Sequence, residues 1–212
     1  MWLSPSCAIV LPTALELDDL QEFVDLQEWN FEDEQLASED APYHIVWMTL
    51  DRRTRIRYVD DEWLNVRYFY FSGREATAFA EAARRFFGPP DREELLAAIP
   101  DLSDAGARPN ETEPSAHATT SEGSTIDRYR RALALCAIAS RDADERLLAH
   151  FSRGLGAANP ELRYATLQAM GYAAWPELEP LFEATRNDED AEVAELASDL
   201  LAALREDRAE RF

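Results

Sequence analysis

The sequence predicts an α+β fold: a small N-terminal antiparallel β-meander packed with helices, followed by a short all-α helical-repeat domain. Three observations carry this expectation. Residues 43–71 hold three extended runs with short polar connections, residues 101–124 abruptly lose their large apolar side chains, and everything after them has helical periodicity. The expected organisation is an α+β domain over residues 1–100, a flexible linker over 101–124 and an α-helical domain over 125–212. At 212 residues and 46% apolar composition, the chain is long enough for two small domains with a real core.

In chain order, residues 8–12 (AIVLP) are short and β-branched and suit a first strand. Thr13 opens a T-A-L-E capping pattern, and the helix after it runs to about Glu28 with Leu17, Leu20, Phe23, Val24 and Leu26 toward one side. Residues 43–50 (YHIVWMTL) are almost continuously apolar, as in a strand covered on both faces. Residues 54–59 alternate Ile56 and Tyr58 against Arg55, Arg57 and Val59, and residues 65–71 alternate Val66, Tyr68 and Tyr70 against Arg67, Phe69 and Phe71. On opposite strands Arg55 and Arg57 are placed to meet Arg67, so nearby carboxylates are expected to intervene. Ser72 to Glu75 is a second S-x-x-E box, opening a helix over Ala76, Phe79, Ala80, Ala83, Phe86 and Phe87 that Gly88-Pro89-Pro90 stops. Asp91 caps a short helix ending at Pro100. The helices are expected over one face of the sheet.

Residues 101–124 are rich in Pro, Gly, Ser, Thr and Glu, a composition that buries too little apolar surface to offset ordering entropy. Five helices follow. They cover residues 126–139, 142–155 (opened by D-A-D-E, closed by Gly154 and Gly156), 160–172 (Asn159 as N-cap, Pro160 at the first position), 176–185 and 190–205.

These helices repeat. Tyr129-Arg130-Arg131-Ala132 matches Leu162-Arg163-Tyr164-Ala165 at an offset of 33, and Ala191-Glu192-Val193 matches Pro160-Glu161-Leu162 at 31. Residues 159–181, with the P-E-L-R start, Ala165, Leu167, Ala169, Met170 and Gly171 and a second helix at P-E-L-E-P-L, resemble a HEAT repeat. The resemblance extends loosely over roughly residues 125–208 and touches nothing in the first hundred. The family's arginine corresponds to Arg163 and Arg130, but the third copy has Ala194 there. The resemblance implies an α-solenoid with scaffold or binding duty and implies no catalysis. Five helices make about two and a half repeats where about three are needed for independence, so the half-solenoid is expected to close by docking on the α+β domain.

Charge is the strongest global feature. The chain has 42 acidic and 21 basic residues, all 21 of them arginine, for a net charge of −21. Such a field repels nucleic-acid backbones and anionic lipid and attracts cationic partners. No apolar run approaches the ~20 residues of a membrane span, and the N-terminus lacks the charged and apolar regions of a signal peptide. The expected setting is cytoplasmic, with no membrane and no direct nucleic-acid contact.

Candidate chemistry is sparse. His44, His117 and His150 have no ligand-like spacing, so no metal site is expected. Cys7 and Cys136 lack a neighbouring base or basic cluster, and no phosphate loop or nucleophile elbow occurs. No catalytic residue and no cofactor is expected. Carboxylates are the abundant material. Residues 16–40 hold eleven of them and no basic residue, interrupted by Trp29-Asn30-Phe31. Aromatic anchors ringed by acids suit rapid capture of a basic partner. The expected partner-binding residues are Asp18, Asp19, Glu22, Trp29, Phe31, Glu32, Asp33 and Glu34, with Asp60, Asp61, Glu62 and Trp63 as a second cluster. Against this stand an amphipathic helix whose aromatics tuck into the core, and a hairpin of solvated carboxylates. Three functions remain open: an acidic immunity or antitoxin-like inhibitor of a basic partner such as a toxin domain, a general HEAT-repeat adaptor, and a carboxylate-based metal-assisted enzyme working from Asp60–Asp61–Glu62.

Overall fold

The computed structural model describes residues 6–12, 14–38, 41–101, 124–173 and 175–210. Their strands are β1 (Ser6–Val10), β2 (Asn30–Gln35), β3 (Tyr43–Met48), β4 (Thr54–Asp61) and β5 (Val66–Gly73), forming one antiparallel sheet in the order β1-β5-β4-β3-β2. The first half also contains helices α1 (Leu17–Leu26), α2 (Ala76–Phe87) and α3 (Arg92–Ala97). The second half contains α4 (Thr125–Ala139), α5 (Glu145–Leu155), α6 (Pro160–Met170), a 3-10 turn (Pro176–Leu178) running into α7 (Glu179–Thr185), and α8 (Ala191–Glu210). The expected α+β class therefore holds, with a larger sheet than the three-stranded meander. Most of the expected linker, residues 102–123 with His117, lies outside the described residues.

Alternation along the strands gives the sheet two apolar faces. On the first, Ile9, Trp47, Ile56, Tyr58, Phe69 and Phe71 pack with Leu20, Phe23 and Val24 of α1 and Ala76, Ala80 and Ala83 of α2. On the second, Val10 and Val66 join Leu64, Leu95 of α3 and Leu133 and Ala137 of α4 in a cluster that runs on through the helices to Leu201. Helices thus cover both faces rather than one, and the second half of the chain shares its core with the sheet.

Local signals set the element ends, with some corrections. Thr13, expected to cap α1, is outside the described residues; the Glu16 N–H instead donates to the Asp19 carboxylate at 3.4 Å. α1 stops at Leu26, short of Glu28, which has φ 54°. Ser72 does not open a helix: it lies in β5, and the Glu75 N–H donates to Thr54 Oγ1 at 3.1 Å. Gly73 is required there, since its φ is 124° and a Cβ would sit 2.2 Å from the Arg53 carbonyl oxygen. Asp91 and Glu94 do form a reciprocal box, each side chain accepting from the other's N–H at 2.8 Å. Asn159 Oδ1 accepts from the Glu161 N–H at 2.9 Å, capping α6 with Pro160 in its first turn.

In the second half α4, α6 and α8 pack side by side, with α5 against α6 and α7 against α8. Gly154 of α5 lets that helix approach closely, because a Cβ there would meet Thr166 Oγ1 at 2.3 Å. Arg163 is buried in α6 and makes a bidentate pair with Asp188 before α8, at 2.9 and 2.7 Å, while donating to the carbonyls of Ala157 and Ala158. One guanidinium thereby ties the turn before α6 to the turn between α7 and α8.

The two halves are joined by polar contacts as well. Arg146 of α5 is bidentate to Glu93 of α3 at 2.8 and 2.6 Å, and Arg92 pairs with Asp144. Val10, Leu64, Val66 and Leu95 reach the helical core from the first half. Burying such a side chain contributes about 1.5–3 kcal/mol, so four together rival the ~5–15 kcal/mol net stability of a typical domain.

Two outcomes are expected. Residues 125–212 expressed alone should unfold at a clearly lower temperature than the full chain, as followed by circular dichroism; an equal, cooperative transition would show the docking to be dispensable. Arg163→Met should cost about 3 kcal/mol at pH 7 by leaving Asp188 without its cation. The Asp188 carboxyl is held below its usual range by that cation, so the contribution is present above about pH 4 and lost as pH falls through the folded value. Urea unfolding of both proteins at pH 7 and pH 3 should show the difference shrinking in acid.

Candidate protein-binding surface

Nine of the twelve residues expected to bind a partner fall into three exposed groups in the structure. Asp18, Asp19 and Glu22 are exposed on the outer side of α1, opposite the buried Leu20, Phe23 and Val24. Phe31, Glu32, Asp33 and Glu34 lie on β2, an edge strand whose six residues are all exposed. Glu62 and Trp63 are exposed in the β4–β5 connection, at the other side of the molecule's sheet. The remaining three are corrections.

Trp29 is not a surface anchor. It is 7% exposed and packs edge-on against Phe23, Phe69, Phe71 and Phe79, with Trp47 beside it. Glu28, with its positive φ, reverses the chain between α1 and β2 and turns the indole inward. Asp61 is 1% exposed. Its carboxylate accepts from the Tyr172 hydroxyl and from the Leu64 N–H at 3.2 Å, so it ties the sheet to the turn after α6. Burial and that carboxylate push the Tyr172 hydroxyl's pKa well above its ordinary value, and it stays a donor. Asp60 is half-buried and pairs with Arg67 at 3.0 Å. In register Arg67 faces Asp60, on the sheet face opposite Arg55 and Arg57, so the expected arginine crowding does not arise. With Asp60 and Asp61 committed elsewhere, the three consecutive carboxylates do not form one cluster.

The acidic surface that remains is continuous along the chain from α1 through the tight turn into β2. Asp18, Gln21, Glu22, Asp25 and Leu26 line a shallow open depression on α1. Leu26, Phe31 and Leu36 are 62%, 62% and 74% exposed, giving the acids apolar neighbours. Glu32 is partly neutralised by Arg52 at 3.4 Å and Arg55 at 3.6 Å, and Glu34 accepts from the Tyr43 hydroxyl at 2.7 Å. The register of β2 shifts between Phe31 and Asp33, a bulge that with the carboxylates protects the edge from pairing with another strand.

Other polar groups offer little reactive chemistry. Burial pushes the Cys136 thiol up to about 12 and raises Cys7, which donates to the Ala76 carbonyl at 3.4 Å. His150 is half-buried on α5, its pKa lowered by desolvation and then by Arg153. Among the described residues no group of three or more His, Cys, Asp or Glu is arranged to hold a metal ion, and no helix is long and apolar enough to cross a membrane.

The structure also forms a groove that the sequence did not point to. It lies between the second sheet face and the ends of α4 and α6, and its lining includes Arg57, Tyr68, Tyr70, Trp63, Arg141 and Tyr172. Alternation puts Arg57 on one face of its strand and Tyr68 and Tyr70 together on one face of theirs; their meeting with Arg141 and Tyr172 depends on docking of the two halves. No protein-family model, curated protein or solved structure matches the chain.

Substituting Asp61 by Ala leaves the Tyr172 hydroxyl and Leu64 N–H without a buried partner and should cost about 1–3 kcal/mol. Glu62→Ala, one residue on and exposed, should change stability by less than about 0.5 kcal/mol. Urea denaturation of the two variants checks the contrast.

Proposed function

We propose that the chain is a non-catalytic protein-binding module that captures a basic partner protein through the acidic surface of α1 and β2, acting as an immunity or antitoxin-like inhibitor of a basic toxin domain. The observation that carries this reading is the depression on α1 lined by Asp18, Gln21, Glu22, Asp25 and the exposed Leu26, with Phe31 exposed on β2. Carboxylates at a recess with an apolar floor suit an Arg or Lys side chain, whose stem packs while its head pairs. The surrounding charge accelerates encounter.

The HEAT-like reading of the second half belongs to the same proposal. Side-by-side packing of α4, α6 and α8, the Asn159–Pro160 start and the Arg163–Asp188 anchor support it. In this reading the repeats are a rigid support that holds the α+β half, rather than the surface that selects the partner. A cytoplasmic setting fits an inhibitor of this kind.

The test uses the full chain as bait in its native host, against a variant with Asp18, Asp19, Glu22, Glu32, Asp33 and Glu34 neutralised to Asn or Gln. The expected result is a basic protein held by the parent, with an association rate at least about tenfold faster than for the variant at low salt and converging at high salt. Equal, salt-independent rates would remove α1 and β2 from the interface.

A further inference from the structure

The groove between the sheet and the helical half has a chemistry opposite to that of the rest of the protein. It encloses about 580 Å³, within the range of small-molecule sites. Arg57 and Arg141 both line it, and neither is in an ion pair among the described residues. Arg52, Arg55, Arg67, Arg84, Arg146 and Arg163, by contrast, each have a carboxylate partner. An exposed arginine is ordinarily just solvated. These two differ because both border a single concave space that Trp63, Tyr68, Tyr70, Tyr172 and Trp175 also line.

The sheet register places these groups. Arg57 lies directly opposite Tyr70, which lies opposite Ala8, so the three form a row across β4, β5 and β1. Arg141, in the turn after α4, lines the same groove as Ala8 at the β1 end of that row. Arg57 and Arg141 thus share the groove with Tyr70, which is 40% exposed. Tyr68 continues the aromatic wall along β5 toward Trp63, which is 56% exposed, and Tyr172. Among the described residues the only carboxylate lining the groove is Asp61, four residues along β4 from Arg57, or roughly 13 Å. Its charge is already engaged by the Tyr172 hydroxyl and the Leu64 N–H. The groove thus has a cationic end and an aromatic body.

We propose that this groove binds a small anion carrying a planar aromatic ring, its negative group held between Arg57 and Arg141 over Tyr70 and its ring stacked along Tyr68 toward Trp63. Guanidinium groups recognise phosphate, sulfonate and carboxylate oxygens by charge-assisted hydrogen bonds, and tyrosine and tryptophan faces stack on planar rings. A nucleoside monophosphate and an aromatic carboxylate both have this chemistry. A polyanion does not suit the site, because the net charge of −21 repels it. The site lies on the other side of the sheet from α1 and is independent of the basic-partner reading.

The probe is 8-anilino-1-naphthalenesulfonate, titrated into the folded full-length chain and followed by its own fluorescence and by tryptophan quenching. Expected is saturable binding to one site, weakened about tenfold or more by Arg57→Gln and by Arg141→Gln. Arg85→Gln, an equal charge change on α2, should leave the affinity within about twofold. The uncharged analogue N-phenyl-1-naphthylamine should bind at least about tenfold more weakly. Thermal midpoints of the variants, which break no ion pair, verify that each remains folded. Competition with adenosine monophosphate and with indole-3-acetate then separates the two sources: displacement by the first points to a nucleotide, by the second to an aromatic carboxylate. Failure of both to displace the probe, indifference to the groove arginines, equal binding of the uncharged analogue, or no saturable binding overturns the proposal.

Discussion

A sheet whose two faces are both apolar has to be covered twice, and that requirement organises this protein. Ile56, Tyr58, Phe69 and Phe71 point one way and Val10, Val59 and Val66 the other, so α1 and α2 satisfy only half of it. The second face is covered by helices from beyond residue 124, which carry an apolar surface of their own needing a support. Each half thereby supplies what the other lacks. The cost of leaving either face in water exceeds the few kcal/mol that any one polar contact provides. The Asp61–Tyr172, Glu93–Arg146 and Arg92–Asp144 contacts accordingly fix how the halves register rather than whether they associate.

This requirement also decides what was legible in the sequence. Strict alternation over residues 54–59 and 65–71 gave β4 and β5 their faces correctly, because a strand with two different neighbours needs a two-residue period. The caps at Asp91 and Asn159 were equally readable, since both work within one turn of chain. β2 was not readable. Its residues, NFEDEQ, have little strand character, and as an edge strand with no buried face it needs none: the β3 backbone ladder holds it.

The candidate site divides along the same line. Asp18, Asp19 and Glu22 were placed correctly because helical periodicity alone puts them opposite Leu20 and Phe23. Trp29 was misplaced because its inward turn depends on one positive φ at Glu28, which neighbouring carboxylates do not reveal. Asp61 looks in sequence like Asp60 and Glu62. Only the period of the strand separates it from Asp60, and Tyr172, 111 residues away, together with the Leu64 N–H makes its burial tolerable. The Arg57–Arg141 groove belongs to the same class, since its walls come from parts of the chain that sequence spacing does not connect.

The sheet also solves an electrostatic problem that the composition creates. A chain of net charge −21 tends to neutralise any arginine it carries, and most of its described arginines do have carboxylate partners. Alternation puts Arg57 on the second face while α1 and its acids lie over the first. The α1 carboxylates are therefore separated from the groove by the sheet and the apolar core on its first face, and among the described residues none of them pairs with Arg57 or Arg141. Carboxylates nearer the arginines would cancel them; Asp61, the one among the described residues that lines the groove, is held by Tyr172 and Leu64. The bond that registers the two halves thus also occupies that carboxylate, and Arg57 and Arg141 are the charges a small ligand meets first.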